Sequence, residues 1–555
     1  MLRKLLSTKF SSIASAAVVI AAAGLLSRIL GLVRDRILAG QFGAGNELDV
    51  YYAAFRVPDL VYNLIVLGAL SAGFIPIFIG LIKDEEKVSY KVNQVAWDLV
   101  NNILNILALF LFGACLILAV FSPWLVPIIT PGFSGEKLQL TIGLTRLMFF
   151  SPILLGLSGV FGGVLQSFKR FIVFSLAPVM YNLGIIFGAL FLVEDFGIYG
   201  LAIGVIIGAV LHLLIQIPTV FRLGFVYRPI IRFKDSNFLK IIRMMGPRIL
   251  GLASTQVNLI VFTIFASTLA AGSLTVFNLA SNLQSLPIGL FGVSFAIAAF
   301  PVLSKSFSSN NKKEFNETFQ STFKQILFFV VPFSILLIIL RVQIVRVVLG
   351  SGKFDWQDTI LTANSLGLLS LSLFAQALLP LLARVFYARH NTVLPFWAAF
   401  VSLVVNVGLS WWLMQEMGVL GLALGFSISS IVNLVILTAF AGHKIKDIFH
   451  DGIIKSLAKI SFASLLMGVA AQSMKTWVGS LVDMQRFWGV FSQGLIAGLV
   501  GLLVFVIVGY LVKSEELMNF MAGFRKNLFK TVKIEKEGIN YFYSKISSNC
   551  FFFIY

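Results

Sequence analysis

Fourteen apolar stretches follow one another along these 555 residues, separated by short polar turns. They cover roughly 11–41, 48–81, 94–122, 139–167, 171–193, 198–221, 244–270, 274–304, 317–345, 358–387, 392–415, 418–441, 454–474 and 488–512. A bilayer core is about 30 Å thick, which a helix crosses in about 20 residues. The chain is 58% hydrophobic and 12% charged, with a mean hydropathy of +0.94. No soluble fold hides that much apolar surface. The fold class is therefore all-α integral membrane, with about 14 transmembrane helices.

The net charge of +19 falls in short clusters between the apolar runs, not in a nucleic-acid-binding patch. One set of turns carries Arg3, Lys4 and Lys9, then Lys83, Lys87 and Lys91, then Lys169 and Arg170. It continues with Arg222, Arg228, Arg232, Lys234 and Lys240, with Lys305, Lys312 and Lys313, with Arg389, and with Lys444, Lys446, Lys455 and Lys459. The alternate turns are short and poor in base, apart from Lys137, Arg346, Lys353, Lys475 and Arg486. Basic turns stay on the cytoplasmic side. An even number of spans then puts both termini in the cytoplasm. The first residues resemble the basic start of a signal peptide, but the apolar run continues into Arg28–Arg36 without a cleavage site, so it reads as a retained first helix.

An internal repeat is legible. Gly197-Ile-Tyr-Gly-Leu-Ala-Ile-Gly204 returns as Gly418-Val-Leu-Gly-Leu-Ala-Leu-Gly425. Leu48-Asp-Val-Tyr51 with Ala54 returns as Leu274-Thr-Val-Phe277 with Ala280, and Phe74-Ile-Pro76 resembles Ala299-Phe-Pro301. Six spans separate the copies, so both start on the same membrane side. That makes two six-helix parallel repeats, a transporter architecture. The implied organisation is an N-lobe at 1–222, a basic cytoplasmic linker at 223–243, a C-lobe at 244–441, two extra C-terminal helices at 442–513 and a cytoplasmic tail at 514–555.

The stretch from Ser27 to Pro76 breaks the apolar rule. It carries Arg28, Arg34, Asp35, Arg36, Glu47, Asp49, Arg56 and Asp59. A charge at mid-bilayer costs at least ~2.5–3.5 kcal/mol, so these groups must pair, face water or sit at an interface. Guanidinium matches phosphate oxygens in bidentate geometry, so arginines in a cavity suit an anionic ligand. Arg36 reads as interfacial. Arg28 and Arg34 are six residues apart, about 120° out of register on a helix, and share a cavity if the chain bends near Gly31. Otherwise Arg34 and Asp35 cap a helix end. The matching region of the second half, Asn278, Asn282, Gln284 and Ser285, is polar but uncharged; Arg248 and Arg384 add positive charge there.

Cys115 and Cys550 support neither a disulfide framework nor a thiolate metal site, and the four histidines have no ligand spacing. Gly350-Ser-Gly-Lys353 lacks the upstream glycine and the following Ser/Thr of a phosphate loop. No nucleophile–base set appears, so no enzyme, metal or cofactor is expected.

Several stretches resemble the MurJ/MviN family of lipid II flippases. They are Ser27-Arg28-Ile-Leu-Gly31, Val33-Arg34-Asp35, Phe42-Gly43-Ala44-Gly45 with Asp49, and Phe55-Arg56-Val-Pro58. Pro178 with Tyr181-Asn182, Leu269–Ser273, Pro287–Gly292, Phe300–Lys305 and Phe386–Arg389 extend the likeness through all fourteen segments. The resemblance implies a multidrug- and polysaccharide-exporter fold with a central cavity, in the bacterial inner (cytoplasmic) membrane. The two extra helices would form a groove for a lipid tail. It implies a substrate, lipid II or a similar polyprenyl-diphosphate glycolipid, bound by Arg28, Arg34, Asp35 and Asp49, and an association with cell-wall synthesis proteins. The family's arginine on the eighth helix falls on or near Asn282, and its acidic neighbour near Ser285. A basic residue of the second helix is missing where Leu60–Asn63 stand. Arg56 and Arg248 are the compensating candidates. Some members hold sodium with a carboxylate on the eleventh helix; here Asn406 and Ser410 stand there, and no sodium site is expected. The alternatives are an exporter of another polyprenyl-linked glycan, a MATE-like antiporter, and a cell-wall scaffold that transports nothing.

Overall fold

The computed structural model describes residues 13–67, 73–83, 94–445, 447–449 and 452–522; the side chains of 13–21, 246–248 and 250–255 fall outside the description. The basic residues predicted at Arg3–Lys9 and Lys87–Lys91, Lys446, the tail after 522 and the side chain of Arg248 therefore lie outside the described residues.

The helices are α1 (Ile13–Phe42), α2 (Asn46–Val61), α3 (Ile75–Lys83), α4 (Gln94–Ile129), α5 (Gly135–Met148), α6 (Phe150–Ser167) and α7 (Phe171–Phe187). Then come α8 (Val193–Phe196), α9 (Tyr199–Leu214), α10 (Ile217–Arg222), α11 (Ser236–Ser267), α12 (Ser273–Pro287), α13 (Ser294–Ser308) and α14 (Lys312–Ile339). The last are α15 (Arg341–Val348), α16 (Trp356–Ser370), α17 (Leu373–Ala388), α18 (Val393–Met417), α19 (Val419–Lys444), α20 (Gly452–Gly479) and α21 (Phe487–Leu511). Among the described residues, 10 helices are long and apolar enough to span, or 11 when α16 and α17, bent by 45°, count as one. The remaining predicted spans fall on α1, on α2 and α3, and on α11.

Two compact units form, one from Met1–Leu286, Arg341–Ser372 and Asn391–Leu437, the other from Pro287–Leu340, Leu373–His390 and Thr438–Tyr555. In the first, Phe74, Phe78, Trp97, Leu165 and Phe225 form a buried core, with Trp97 and Phe225 rings 5.7 Å apart. Beside it three asparagines of α4 grip the linker. Asn101 binds Val226 O and Arg228 N, at 3.0 and 2.9 Å. Asn102 binds both the N–H and the C=O of Arg232, at 2.6 and 3.1 Å. Asn105 donates to Arg228 O and Ile230 O, at 2.8 and 3.1 Å. These amides satisfy backbone groups that no helix or sheet provides for. Farther along α4, Leu109, Ile117 and Val120 are exposed, as lipid-facing residues must be.

In the second unit α20 and α21 form a hairpin against α14. Lys475 Nζ donates to Ile339 O at the end of α14, 3.0 Å away. That accounts for one base that broke the charge alternation, and a second, Arg486, pairs with Asp483 at 3.1 Å. Glu516 is buried and accepts hydrogen bonds from Ser456 and Ser514, at 2.6 and 2.8 Å.

The repeat is built twice in the same geometry. Gly197 and Gly418 both turn the chain at φ +55 and +56°, with N–H bonded to Val193 O and Met414 O. A Cβ on Gly200 would lie 2.5 Å from Leu192 O, and one on Gly421 2.4 Å from Leu413 O. Each returning helix thus crosses its predecessor at backbone distance, which only small residues allow. Gly204 meets Gly188, and a Cβ there would sit 2.7 Å from Gly188 Cα. Gly204→Leu is expected to wedge α9 from α7 and cost about 1–3 kcal/mol or more. Thermal unfolding of the purified protein measures it; an unchanged midpoint would mean the crossing is looser than this. The π-helical segment Tyr62–Leu67 after α2 recurs 226 residues on as Ile288–Val293 after α12. Leu48, Val50, Tyr51 and Ala54 are buried, and so are their counterparts Leu274, Val276, Phe277 and Ala280.

Candidate functional site

The charged stretch becomes a network that joins α1 and α2 to α7, α11 and α12, all within the first unit. Its organiser is α1, which stays helical through Gly31. No bend is needed to employ both arginines, because two neighbouring faces are used. Ser27, Gly31 and Arg34 fall at i, i+4 and i+7 and meet α7. There Asn182 Oδ1 accepts from Arg34 Nη1 at 3.2 Å, and its Nδ2 donates to Ser27 Oγ at 3.4 Å. Gly31 also faces Asn182, with room for a side-chain Cβ 4.0 Å from Asn182 Oδ1. Arg28 and Asp35, also i and i+7, meet α12. Arg28 Nη1 donates to Ser285 O at 3.4 Å, and Asn282 Nδ2 donates to Asp35 Oδ2 at 2.9 Å.

Arg34 and Asp35 form a close pair. Arg34 Nη2 and Nε lie 2.7 and 3.0 Å from Asp35 Oδ1. Asp35 is 2% exposed. A carboxylate so buried needs its compensation complete, and here one oxygen takes a guanidinium and the other an amide. Asn282 thus holds one end of the cluster, although it brings no charge.

Asp49 plays a different part. Its Oδ2 accepts from Gly272 N at 2.8 Å, and its Oδ1 from Thr275 N and Oγ1, at 3.0 and 2.8 Å. It caps the start of α12 from outside, where the helix dipole favours an anion. Lys137 Nζ completes the set, 3.3 Å from Asp49 and 2.8 Å from Asn46 Oδ1. Lys137 was another base that broke the charge alternation. Asp49 and Thr275 are counterparts in the internal repeat, and they touch. Contact between equivalent positions puts both beside the local two-fold axis of the repeat.

Arg56 is buried. Its Nε donates to Thr263 Oγ1 at 2.7 Å, and its Nη2 to Asn278 Oδ1 at 2.8 Å. Both hydrogen-bond partners are neutral, and the carboxylate of Asp59 on the same helix acts on Arg56 only through space. Arg36 Nη1 donates to Val347 O and Val348 O, at 2.6 and 3.2 Å, at the carbonyl end of α15. Next to it the loop that faintly suggested a phosphate cradle closes on α1 by backbone contact, with Lys353 N on Gly40 O at 2.8 Å. Ala44 N donates to Asp358 Oδ2 at 2.9 Å, and Gly43 and Gly272 adopt φ +69 and +88° to permit the approach.

Other candidates stand apart. Arg384 Nη1 donates within its own helix, to Pro380 O at 3.0 Å. Asn406 Nδ2 donates to Asn258 Oδ1 at 2.6 Å, and Ser410 to Asn406 Oδ1 at 3.1 Å, an uncharged set between α11 and α18. Of these partners, sequence reasoning did not name Thr263; it named Asn182, Thr275 and Asn278 only as parts of a family-like stretch, a repeat and a polar region, without pairing them to the charges.

Residues 38–493 match the family model described as lipid II flippase MurJ. The chain belongs to the lipid II flippase MurJ family. Among curated relatives, a probable lipid II flippase MurJ of Buchnera aphidicola (subsp. Acyrthosiphon pisum) is 30% identical over 483 residues, 85% of this chain and 93% of its own. The Thermotoga maritima protein of the same description is 31% identical over 496 residues, covering 89% and 96%. A solved lipid II flippase MurJ in an inward closed conformation superposes with a TM-score of 0.73 at 26% identity, over 89% of this chain and 98% of that one. An inward-facing MATE transporter of the MOP superfamily gives 0.64 at 15% identity, over 78% and 98%, which establishes the shared fold. The MurJ-family chain is thus a multi-pass membrane protein of transporter fold, in which Arg28 meets Ser285 and Asp35 meets Asn282 across α1 and α12.

Proposed function

We propose that this MurJ-family protein carries lipid II, an undecaprenyl-diphosphate-linked sugar-peptide, from the inner to the outer leaflet of the bacterial inner membrane. The observation that carries this reading is the cluster of Arg28, Arg34 and Asp35 held against α7 and α12. Arg28 has a single long hydrogen bond, so its guanidinium is available to a diphosphate. Arg34 is positioned by Asp35 and Asn182 with part of its fork unused. Bidentate contacts from such a pair offset the desolvation of a phosphate leaving water.

The charge alternation supports cytoplasmic termini. On that orientation the Asp49 cap, the Arg56 contacts and the Gly40–Lys353 closure hold the outer end shut, and the headgroup enters from the cytoplasm. The lobes, at 1–222 and 244–441, then rock about the axis near Asp49 and Thr275. The prenyl tail stays in lipid or against the helices of 442–513. The inside-negative potential favours outward movement of an anion. The protein acts as a carrier and not as an enzyme, beside the cell-wall synthesis proteins that consume its product.

Arg28 is the cleaner test of the two arginines, because removing it leaves no buried acid unpaired. Cells depleted of their own lipid II flippase should be rescued by the wild type and not by Arg28→Ala at matched membrane levels. Rescue by both would remove Arg28 from the site. Rescue by neither would point to another polyprenyl-linked glycan or to a scaffold.

A further inference from the structure

The charged groups of the cluster divide into those already satisfied and those not. Arg34 with Asp35, Asp49 with Lys137 and the start of α12, Arg56 with Thr263 and Asn278, and Arg36 with the α15 carbonyls all have close partners. Two groups do not. Arg28 has its one hydrogen bond of 3.4 Å. Asp59, half-buried on α2, has no side-chain hydrogen bond and no ion pair within 4.0 Å among the described residues. Arg56 and Arg34 act on it through space, but each guanidinium is engaged elsewhere.

An unpaired carboxylate in a membrane span is costly and so marks a site. Asp59 lies on the α2 face that also carries Tyr52 and Arg56, at i, i+4 and i+7 counted from Tyr52. The Tyr52 hydroxyl is buried without a hydrogen-bond partner among the described residues. Three residues after Asp59 the chain passes into the π-helical segment Tyr62–Leu67, a distortion frequent at functional positions. The two unsatisfied charges are of opposite sign. A ligand that meets only Arg28 leaves Asp59 as it is; one that meets both must present an anion and, elsewhere on the same headgroup, a cation.

We infer that Asp59 is a specificity-determining residue that receives a protonated amino group on the headgroup of the lipid-linked diphosphate. This deepens the transport reading above and rests on it. A bare polyprenyl diphosphate, or one bearing a purely anionic or neutral glycan, satisfies the arginine end alone. A sugar-peptide carrying a free amine satisfies both ends. The Tyr52 hydroxyl, on the same face, offers a further hydrogen bond to the sugar-peptide.

The test uses the full-length protein in phosphatidylcholine nanodiscs. Three ligands are compared: undecaprenyl diphosphate, the same lipid bearing a sugar-peptide with a free amine, and that sugar-peptide lipid after N-acetylation. Wild type should bind the free amine about tenfold more tightly than the acetylated form, the worth of one charged hydrogen bond. In Asp59→Asn that ratio should fall to about one, and in Asp59→Glu it should persist. Equal ratios in wild type and Asp59→Asn would overturn the assignment while leaving the transport reading standing. A wild-type ratio near one, with a pH dependence of transport lost in Asp59→Asn, would overturn it in favour of a proton carrier. Failure of wild type to bind any of the three lipids would overturn both readings together.

Discussion

Asp49→Ala is expected to destabilise the protein by about 3 kcal/mol or more, the range for breaking a buried charged pair. The carboxylate is 2% exposed and satisfies two backbone N–H groups, one hydroxyl and one ammonium. Alanine leaves the first N–H groups of α12 without an acceptor and Lys137 without its anion. Asp49→Asn should cost clearly less, because an amide oxygen still accepts from one N–H; the loss is then mainly the Lys137 attraction. Lys137→Met should cost least, since Gly272 and Thr275 still hold the carboxylate in place. Thermal unfolding of the purified protein gives this ranking. An Asn variant as damaged as the Ala variant would mean that charge, and not the cap, is what α12 requires.

Arg34→Ala should cost about 3–5 kcal/mol, because Asp35 would remain buried with only Asn282 to oppose it. The double variant Arg34→Met/Asp35→Asn removes both charges and keeps an amide against Asn282. Replacing a buried pair in this way is often neutral for stability. Most of the lost stability should therefore return in the double variant, as a double-mutant cycle reads directly. On the reading proposed above, transport should not return, because the Arg34 guanidinium would no longer be there to meet the diphosphate. If transport recovered along with stability, Arg34 would be a structural residue and Arg28 would carry the anion alone.

The bilayer made most of the fold legible. It demands long apolar helices, and these stand out in the sequence as apolar runs. The repeat was visible because glycines at Gly200, Gly204 and Gly421 are forced by backbone contact, and such positions tolerate no other residue. The π-helical segments and the 45° bend between α16 and α17 were not visible, because their local sequence is of ordinary apolar composition. At the site, the arginines stood out because charge is rare in a span. Their partners did not. Asn182 stood only within a family-like stretch, Asn278 only within a polar region, and Thr263 was not singled out; three-dimensional placement is what pairs them with Arg34 and Arg56. Lys137 was the exception: a base on the wrong side of the alternation proved to be paired with Asp49. Asn282 shows the reverse case, a position where the resemblance implied a cation and an amide occupies the contact.

The pairing within the cluster has an electrical side. The four arginines and four carboxylates of α1 and α2 (Arg28, Arg34, Arg36 and Arg56 against Asp35, Glu47, Asp49 and Asp59) sum to zero, so on the proposed transport cycle a movement of these helices displaces little net charge through the membrane's field. The voltage, ~2.3 kcal/mol per elementary charge per 100 mV, then acts chiefly on the cargo. In a reconstituted bilayer, current would accompany the loaded passage, and the empty carrier would reset almost silently.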